Sequence, residues 1–288
     1  MKEQKDLFGN PIIKDVLLRD KFIEPPFSVL DTKGSNWQKR KRQWKSLGIQ
    51  SEIGRNVKTF GKFTSNQGKK NRFDKISTSI FDPALCEVLY NWFCKKNGTI
   101  LDCFAGGSVR GIVANKLGYK YTGIEIRQEQ VNSNREQALN ILEINNQPQW
   151  YVGDSNNLLD DFTNEFDFVF SCPPYANLEV YSDLEGDISN MSYTDFMQTY
   201  KSIISKSCKL LKQGCYACFV VGEVRNKKGN YIGFVPDTIK AFQECGMFFY
   251  NEAILLHQLG TASMRANGNM KSQKLVKVHQ NILIFKKV

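Results

Sequence analysis

The stretch TILDCFAGGSVRGIVANKLGYKYTGIEI, residues 99–126, decides the fold. TILDCF is a short apolar run of the kind that forms a buried strand, Gly106 and Gly107 break it, GGSVRGIVANKLGY carries a helical pattern, and YTGIEI is a second strand. Strand, glycine turn, helix and strand in this order make a βαβ unit. Ligands of open α/β sheets bind at the carboxyl ends of the strands, and glycine lets the backbone approach them closely. The turn Asp102-Cys103-Phe104-Ala105-Gly106-Gly107-Ser108 lies at such an end. Glu125 closes the next strand 23 residues on (102 to 125), where such folds bind ribose hydroxyls. A glycine turn plus an acidic strand end inside one βαβ unit points to an adenosine-containing cofactor.

Outward from this unit the pattern continues. Upstream, DPALCEVLYNWFCKK reads as an amphipathic helix with Asp82 as N-cap and Pro83 in the first helical position. Downstream, WYVGD, DFVFSC, CYACFVVGEV, FFYNEAILL and NILIFKK are strand candidates, and YTDFMQTYKSIISKSCKLL and PDTIKAFQECG are the clearest helices between them. The alternation predicts a doubly wound, mostly parallel sheet. No helix is expected in the polar segment 257–280, so the last two strands are expected to pair antiparallel.

Two further features sit at the same sheet edge. Asp154, in YVGDSNNL, closes the third strand, where a carboxylate can accept from an adenine amino group or cap the following turn. The strand from Asp167 runs directly into Ser171-Cys172-Pro173-Pro174-Tyr175. Two prolines fix φ and carry no N–H, so the turn is stiff and its carbonyls remain acceptors. An amino group on a base ring is a poor nucleophile because its lone pair is delocalised. Acceptors that take its hydrogens let the nitrogen pyramidalise and aim that lone pair at a methyl sulfonium. An aromatic such as Tyr175 can stack on a base rotated out of a duplex.

The chain has 288 residues, 41% hydrophobic and 24% charged, with a formal net charge of +10. Such a surplus of cations favours a polyanionic partner. Much of it falls in residues 20–75, with Lys39, Arg40, Lys41, Arg42 and Lys45 followed by Arg55, Lys58, Lys62, Lys69, Lys70, Arg72 and Lys75. Trp37 and Trp44, seven apart, share one face if WQKRKRQWKSL is a helix, and are expected to dock this segment on the core while its cations reach phosphates. Residues 1–76 are therefore read as a basic N-terminal extension and 77–288 as the catalytic domain. The segment 257–280, with Arg265, Lys271 and Lys274, is a second candidate for nucleic-acid contact. The acidic stretch LEVYSDLEGDISNMSYTDF fits a lid or capping segment.

Eight cysteines without framework spacing, together with an opening MKEQKDLFGN that lacks an apolar core, indicate free thiols in a reducing cytoplasm. Cys215 and Cys218 fall in a strand, and with two histidines in the chain no metal site is expected. No apolar run approaches the ~20 residues that span a bilayer.

The Asp102–Ser108 turn together with Cys172–Tyr175 resembles the cofactor and catalytic motifs of the amino-group DNA methyltransferases, the enzymes of cytosine N4 and adenine N6. The likeness covers about residues 77–288, and the segment EPPFSVLDTKGSNWQKRKRQWKSLGI is similar to what precedes this domain in phage and prophage DNA methylases. The resemblance implies a Rossmann-like fold of the S-adenosylmethionine-dependent methyltransferase type and a flipped-out base in double-stranded DNA. It further implies a setting in DNA modification and restriction in a bacterium or phage-infected cell. Phe104, Ala105, Gly106 and Gly107 would pack on the methionine part of the cofactor, with Asp102 and Ser108 in the same motif. Glu125 would hold the ribose, Asp154 would sit near the adenine, and Asp82 would start the helix that closes the pocket. Ser171 to Tyr175 would hold the base, with Lys39 to Arg42, Arg265, Lys271 and Lys274 on DNA. The family carries Asp, Asn or Ser where this chain has Cys172, a weaker acceptor; the Ser171 hydroxyl and the Pro173 carbonyl would share its task. RNA or protein-glutamine methylation, and a non-catalytic DNA-binding protein on the same fold, are the alternatives.

Overall fold

The computed structural model describes residues 17–50, 81–175, 182, 184, 186–226, 228–260 and 262–288. In chain order the helices are α1 (Leu18–Phe22), α2 (Ser35–Lys45), α3 (Pro83–Phe93), α4 (Val109–Lys116), α5 (Gln128–Ile141), α6 (Ser155–Leu158), α7 (Tyr193–Lys209), α8 (Phe234–Glu244) and α9 (Ala262–Met270). The strands are β1 (Val29–Asp31), β2 (Thr99–Asp102), β3 (Lys120–Glu125), β4 (Gln149–Val152), β5 (Phe166–Ser171), β6 (Leu211–Val221), β7 (Phe248–Leu256) and β8 (His279–Lys286).

Among the described residues these strands form one sheet in the order β1-β7-β8-β6-β5-β2-β3-β4. β8 runs antiparallel to both β6 and β7, and the other pairs are parallel. Strands covered on both faces need continuous apolar runs, which explains IL in β2, FVF in β5 and ACFVV in β6. One face is covered by a core that includes Trp37, Leu85, Leu89, Ile112 and Trp150, the other by one that includes Phe196, Tyr200, Ile204, Phe234 and Phe242. The fold is thus the Rossmann-like α/β architecture expected from the alternation of elements, and the antiparallel β7–β8 pair is as expected.

Three elements were not legible as patterns. β1 is three residues long, too short to show a period, and adds a parallel edge to β7 at Ile254–Leu256. α1 is a single turn with no buried residue. The segment between β7 and β8 holds α9, contrary to the expectation of an unbroken loop. Its sequence ASMRANGNM buries only Ala262, so it carries no apolar stripe that would have announced a helix.

α2 docks as Trp37 and Trp44 predicted. Both rings are buried, and each indole donates to a carboxylate of the neighbouring helix start: Trp37 Nε1 to Asp82 Oδ2 at 3.1 Å and Trp44 Nε1 to Glu87 Oε2 at 2.8 Å. Lys41 and Arg40 complete the same two carboxylates at 2.8 and 2.7 Å. Asp82 also caps α3, its Oδ1 accepting from Ala84 N at 3.0 Å, with Pro83 behind it as expected. The cations from Arg55 to Lys75 lie outside the described residues. Among the described residues no helix is long and apolar enough to cross a membrane.

Candidate active site

The parallel strands deliver their carboxyl ends to one edge, and the reversed strand β8 begins there, with His279 opposite Leu256. Along that edge runs a cleft of about 710 Å³, within the range of small-molecule sites. Its two halves follow from strand order. The ends of β2, β3 and β4 bring Phe104 to Gly107, Glu125 and Asp154, whereas the ends of β5, β8, β7 and β1 bring Cys172 to Tyr175, Gln280, His257 and Thr32.

The first half is held from within. Gly106 takes φ of +52°, a left-handed conformation suited to glycine. Its N–H donates to Glu125 Oε2 at 3.0 Å and its carbonyl accepts from Asn134 Nδ2 at 2.7 Å. Glu125 Oε1 accepts from the backbone N–H and the Nε of Arg127, both at 3.1 Å. Burial raises the Glu125 pKa, and Arg127 and the Gly106 N–H oppose that shift. Asp154 caps α6 through Asn156 N at 2.8 Å, as one of its two readings expected, and it also lines the cleft. A Cβ on Gly186 would lie 3.2 Å from Asp154 Oδ2, which brings Gly186, with Asp187, to this end of the cleft.

The structure places three of the named residues behind the cleft rather than in it. Asp102 is fully buried and accepts four hydrogen bonds: from Arg110 Nε at 2.5 Å, Ser171 Oγ at 2.6 Å, Tyr121 Oη at 2.7 Å and Phe104 N at 3.2 Å. Ser171 Oγ also accepts from Phe104 N at 3.1 Å, so its hydroxyl braces the turn and is not presented to an acceptor. Ser108 is buried on Gln137, donating to its Oε1 at 3.1 Å. A strand-end motif specifies position, and the side chains that alternate inward are spent on the scaffold. Asp82, by contrast, lines the cleft while holding α2.

The cations sort likewise. Lys39 and Arg42 are exposed on α2, whereas Arg40 and Lys41 turn to Glu87 and Asp82, and Lys41 lines the cleft. Arg265 and Lys271 are exposed at the α9 segment, and Lys274 is half-buried there. Sequence reasoning missed Arg127, Asp187, Thr32, Gln38, His257, Gln258 and Gln280 as cleft residues. They are isolated polar residues at strand and helix ends that no motif marks.

Residues 19–136 match a family model described as DNA methylase, and no curated protein sequence matches the chain. Solved structures similar in fold include TrmN from Thermus thermophilus, with 13% identity, a TM-score of 0.48, and coverage of 72% of this chain and 49% of that one. Another is a TehB-like SAM-dependent methyltransferase from Corynebacterium glutamicum, at 15% identity, TM-score 0.43, covering 73% of this chain and 90% of that one. The magnesium protoporphyrin IX methyltransferase ChlM from Synechocystis, with bound SAM, aligns at 12% identity and TM-score 0.43 over 72% and 79%. The chain spans about half the length of TrmN.

S-adenosylmethionine is the cofactor that the family match implies, and the residues present fit it. The cleft offers one half-buried carboxylate at the end of β3, a second at the end of β4 and an aromatic ring, Phe104, beside a backbone turn open at Gly106. Removing the Glu125 carboxylate by Glu125→Ala is expected to weaken cofactor binding about 30-fold, the range for a hydrogen bond to a charged group plus a loosened turn. Calorimetry would show it, and unchanged affinity would sink the assignment. Over residues 19–136, which hold the Asp102–Ser108 turn and Glu125, the chain is similar to the DNA methylase family.

Proposed function

We propose that the chain methylates an exocyclic amino group, cytosine N4 or adenine N6, of a base turned out of double-stranded DNA. The observation that carries this reading is one cleft joining the Phe104–Glu125–Asp154 half to the Cys172–Tyr175 turn. The first half binds S-adenosylmethionine, which supplies an electrophilic methyl group on its sulfonium. Glu125 and Asp154 orient the donor at its ribose and adenine. Pro173 and Pro174 hold the turn rigid, so that the Pro173 carbonyl and Cys172 Sγ take the amino hydrogens, and Tyr175 stacks on the ring. The nitrogen gains the methyl group and releases one proton to solvent. No strong base is required, because the lone pair is freed by pyramidalisation.

With Ser171 engaged on Asp102 and Phe104, the acceptor task falls to Cys172 and the Pro173 carbonyl. A hydroxyl accepts better than a thiol, so Cys172→Ser is expected to keep or raise kcat, by up to about threefold for a modestly improved hydrogen bond. A large loss would assign the thiol a different role.

Lys39, Arg42, Arg265, Lys271 and Lys274 supply phosphate contacts in this reading, in line with the net charge of +10. The test is incubation with tritiated S-adenosylmethionine and mixed-sequence duplex, followed by nucleoside digestion and mass spectrometry. N4-methylcytosine or N6-methyladenine would establish the class and the base. Cofactor binding without methylated nucleoside would move the weight to RNA, a protein glutamine or a non-catalytic DNA-binding role.

A further inference from the structure

We infer that Gln280 is a positioning residue for the acceptor turn, locking the Tyr175 ring from β8, two strands away in the sheet. Gln280 lies 105 residues from Tyr175, at the start of β8 opposite Leu255, and its Nε2 donates to Tyr175 Oη at 2.6 Å. His257, the residue after β7, lies beside the Gln280 side chain, whose influence opposes the lowering of the His257 pKa by burial. His257 in turn faces Asp82 and Lys41 on the α2–α3 wall, and His279 on its own sheet.

The tyrosine is therefore fixed at two points. Its ring meets Phe234 edge-on, centroids 5.9 Å apart at 74°, and its hydroxyl is drawn to β8 by the amide. Gly222 leaves the space that this arrangement needs. A Cβ there would come within 3.3 Å of Tyr175 Oη and 3.7 Å of Lys277 Nζ, so any side chain would crowd the hydroxyl. Stacking alone calls for a ring and not for a hydroxyl. A hydroxyl held at 2.6 Å fixes the plane of the ring before the base arrives, and preorganisation of this kind raises turnover rather than ground-state affinity.

Gln280 and His257 line the cleft and are not part of either apolar core. Removing the amide should therefore act on the reaction with little effect on stability. The inference rests on Tyr175 being the residue that meets the acceptor base.

The experiment is methyl transfer by the full chain from tritiated S-adenosylmethionine to mixed-sequence duplex, with kcat and KM measured separately. Losing one hydrogen bond that orients a catalytic group should lower kcat about tenfold in Gln280→Leu, with KM for duplex and cofactor affinity changed less than about twofold. Tyr175→Phe should show the same loss, and the double variant should fall no further than about twofold below either single one, because both remove one interaction. Gln280→Glu, whose carboxylate can accept from the Tyr175 hydroxyl, should recover kcat to within about threefold of wild type. The inference is overturned by a Gln280→Leu kcat within twofold of wild type, by losses that multiply with Tyr175→Phe, or by a loss confined to KM or unrescued by Gln280→Glu. A wild-type chain that methylates no duplex overturns the reading of Tyr175 itself. An active wild type with an indifferent Gln280→Leu overturns only the role of Gln280.

Discussion

Tyr175→Ala is expected to reduce kcat on duplex about 100-fold, since a base–aromatic stack contributes roughly 1–3 kcal/mol and the ring also supports the turn. Cofactor affinity should stay within about twofold, because Tyr175 belongs to the β5 half of the cleft, away from Glu125 and Asp154. The contrast with Tyr175→Phe separates two contributions. Phenylalanine keeps the stacking face and the edge contact to Phe234 but loses the hydrogen bond from Gln280; alanine loses all three. Single-turnover transfer of tritium isolates the chemical step from product release. Retention of more than a third of the wild-type rate in Tyr175→Ala would remove Tyr175 from contact with the base, and with it the main support for a flipped-out acceptor.

The parts of the molecule that the sequence made legible are those where one physical constraint acts on consecutive residues. β2, β5 and β6 are covered on both faces, so their apolar runs are continuous. The turn after β2 must adopt a left-handed φ at Gly106, and the glycines mark it. Trp37 and Trp44 share a helical face because seven residues are nearly two turns, and both are buried. The acceptor half of the cleft is different. Thr32, Gln38, His257 and Gln280 come from four separate segments and meet only because β1, β7 and β8 lie beside β6. Each is a single polar residue at an element end, with no period to betray it. Nor does position in a motif show which way a side chain points. Asp102 and Ser171 were correctly singled out as strand-end residues, and their side chains turn inward to each other.

That inward turn yields the largest expected effect on the protein as a whole. Asp102→Ala is expected to destabilise the fold by about 3–5 kcal/mol, the range for removing one partner of a buried ion pair. Arg110 would remain buried with its counter-charge gone, while Tyr121 Oη, Ser171 Oγ and Phe104 N would each lose an acceptor. Burial opposes the guanidinium charge, and Asp102 overcomes it, holding the Arg110 pKa above its ordinary value. A loss of this size is a large share of the roughly 5–15 kcal/mol that holds a domain folded, and should lower Tm by roughly 10 °C. The damage should reach the cofactor as well, because Arg110 Nη2 donates to the carbonyls of Phe104 at 2.6 Å and Ala105 at 2.9 Å. Without Asp102 to anchor its Nε, Arg110 no longer fixes the turn that Gly106 and Glu125 complete. Adding Arg110→Met to Asp102→Ala should therefore recover part of the lost stability, since the uncompensated charge goes with it, but not cofactor affinity, since the two carbonyls stay without their donor. Thermal melts and calorimetry on Asp102→Ala, Arg110→Met and the double variant distinguish these outcomes. Destabilisation in the double variant equal to the sum of the two single ones would show that the pair is not coupled.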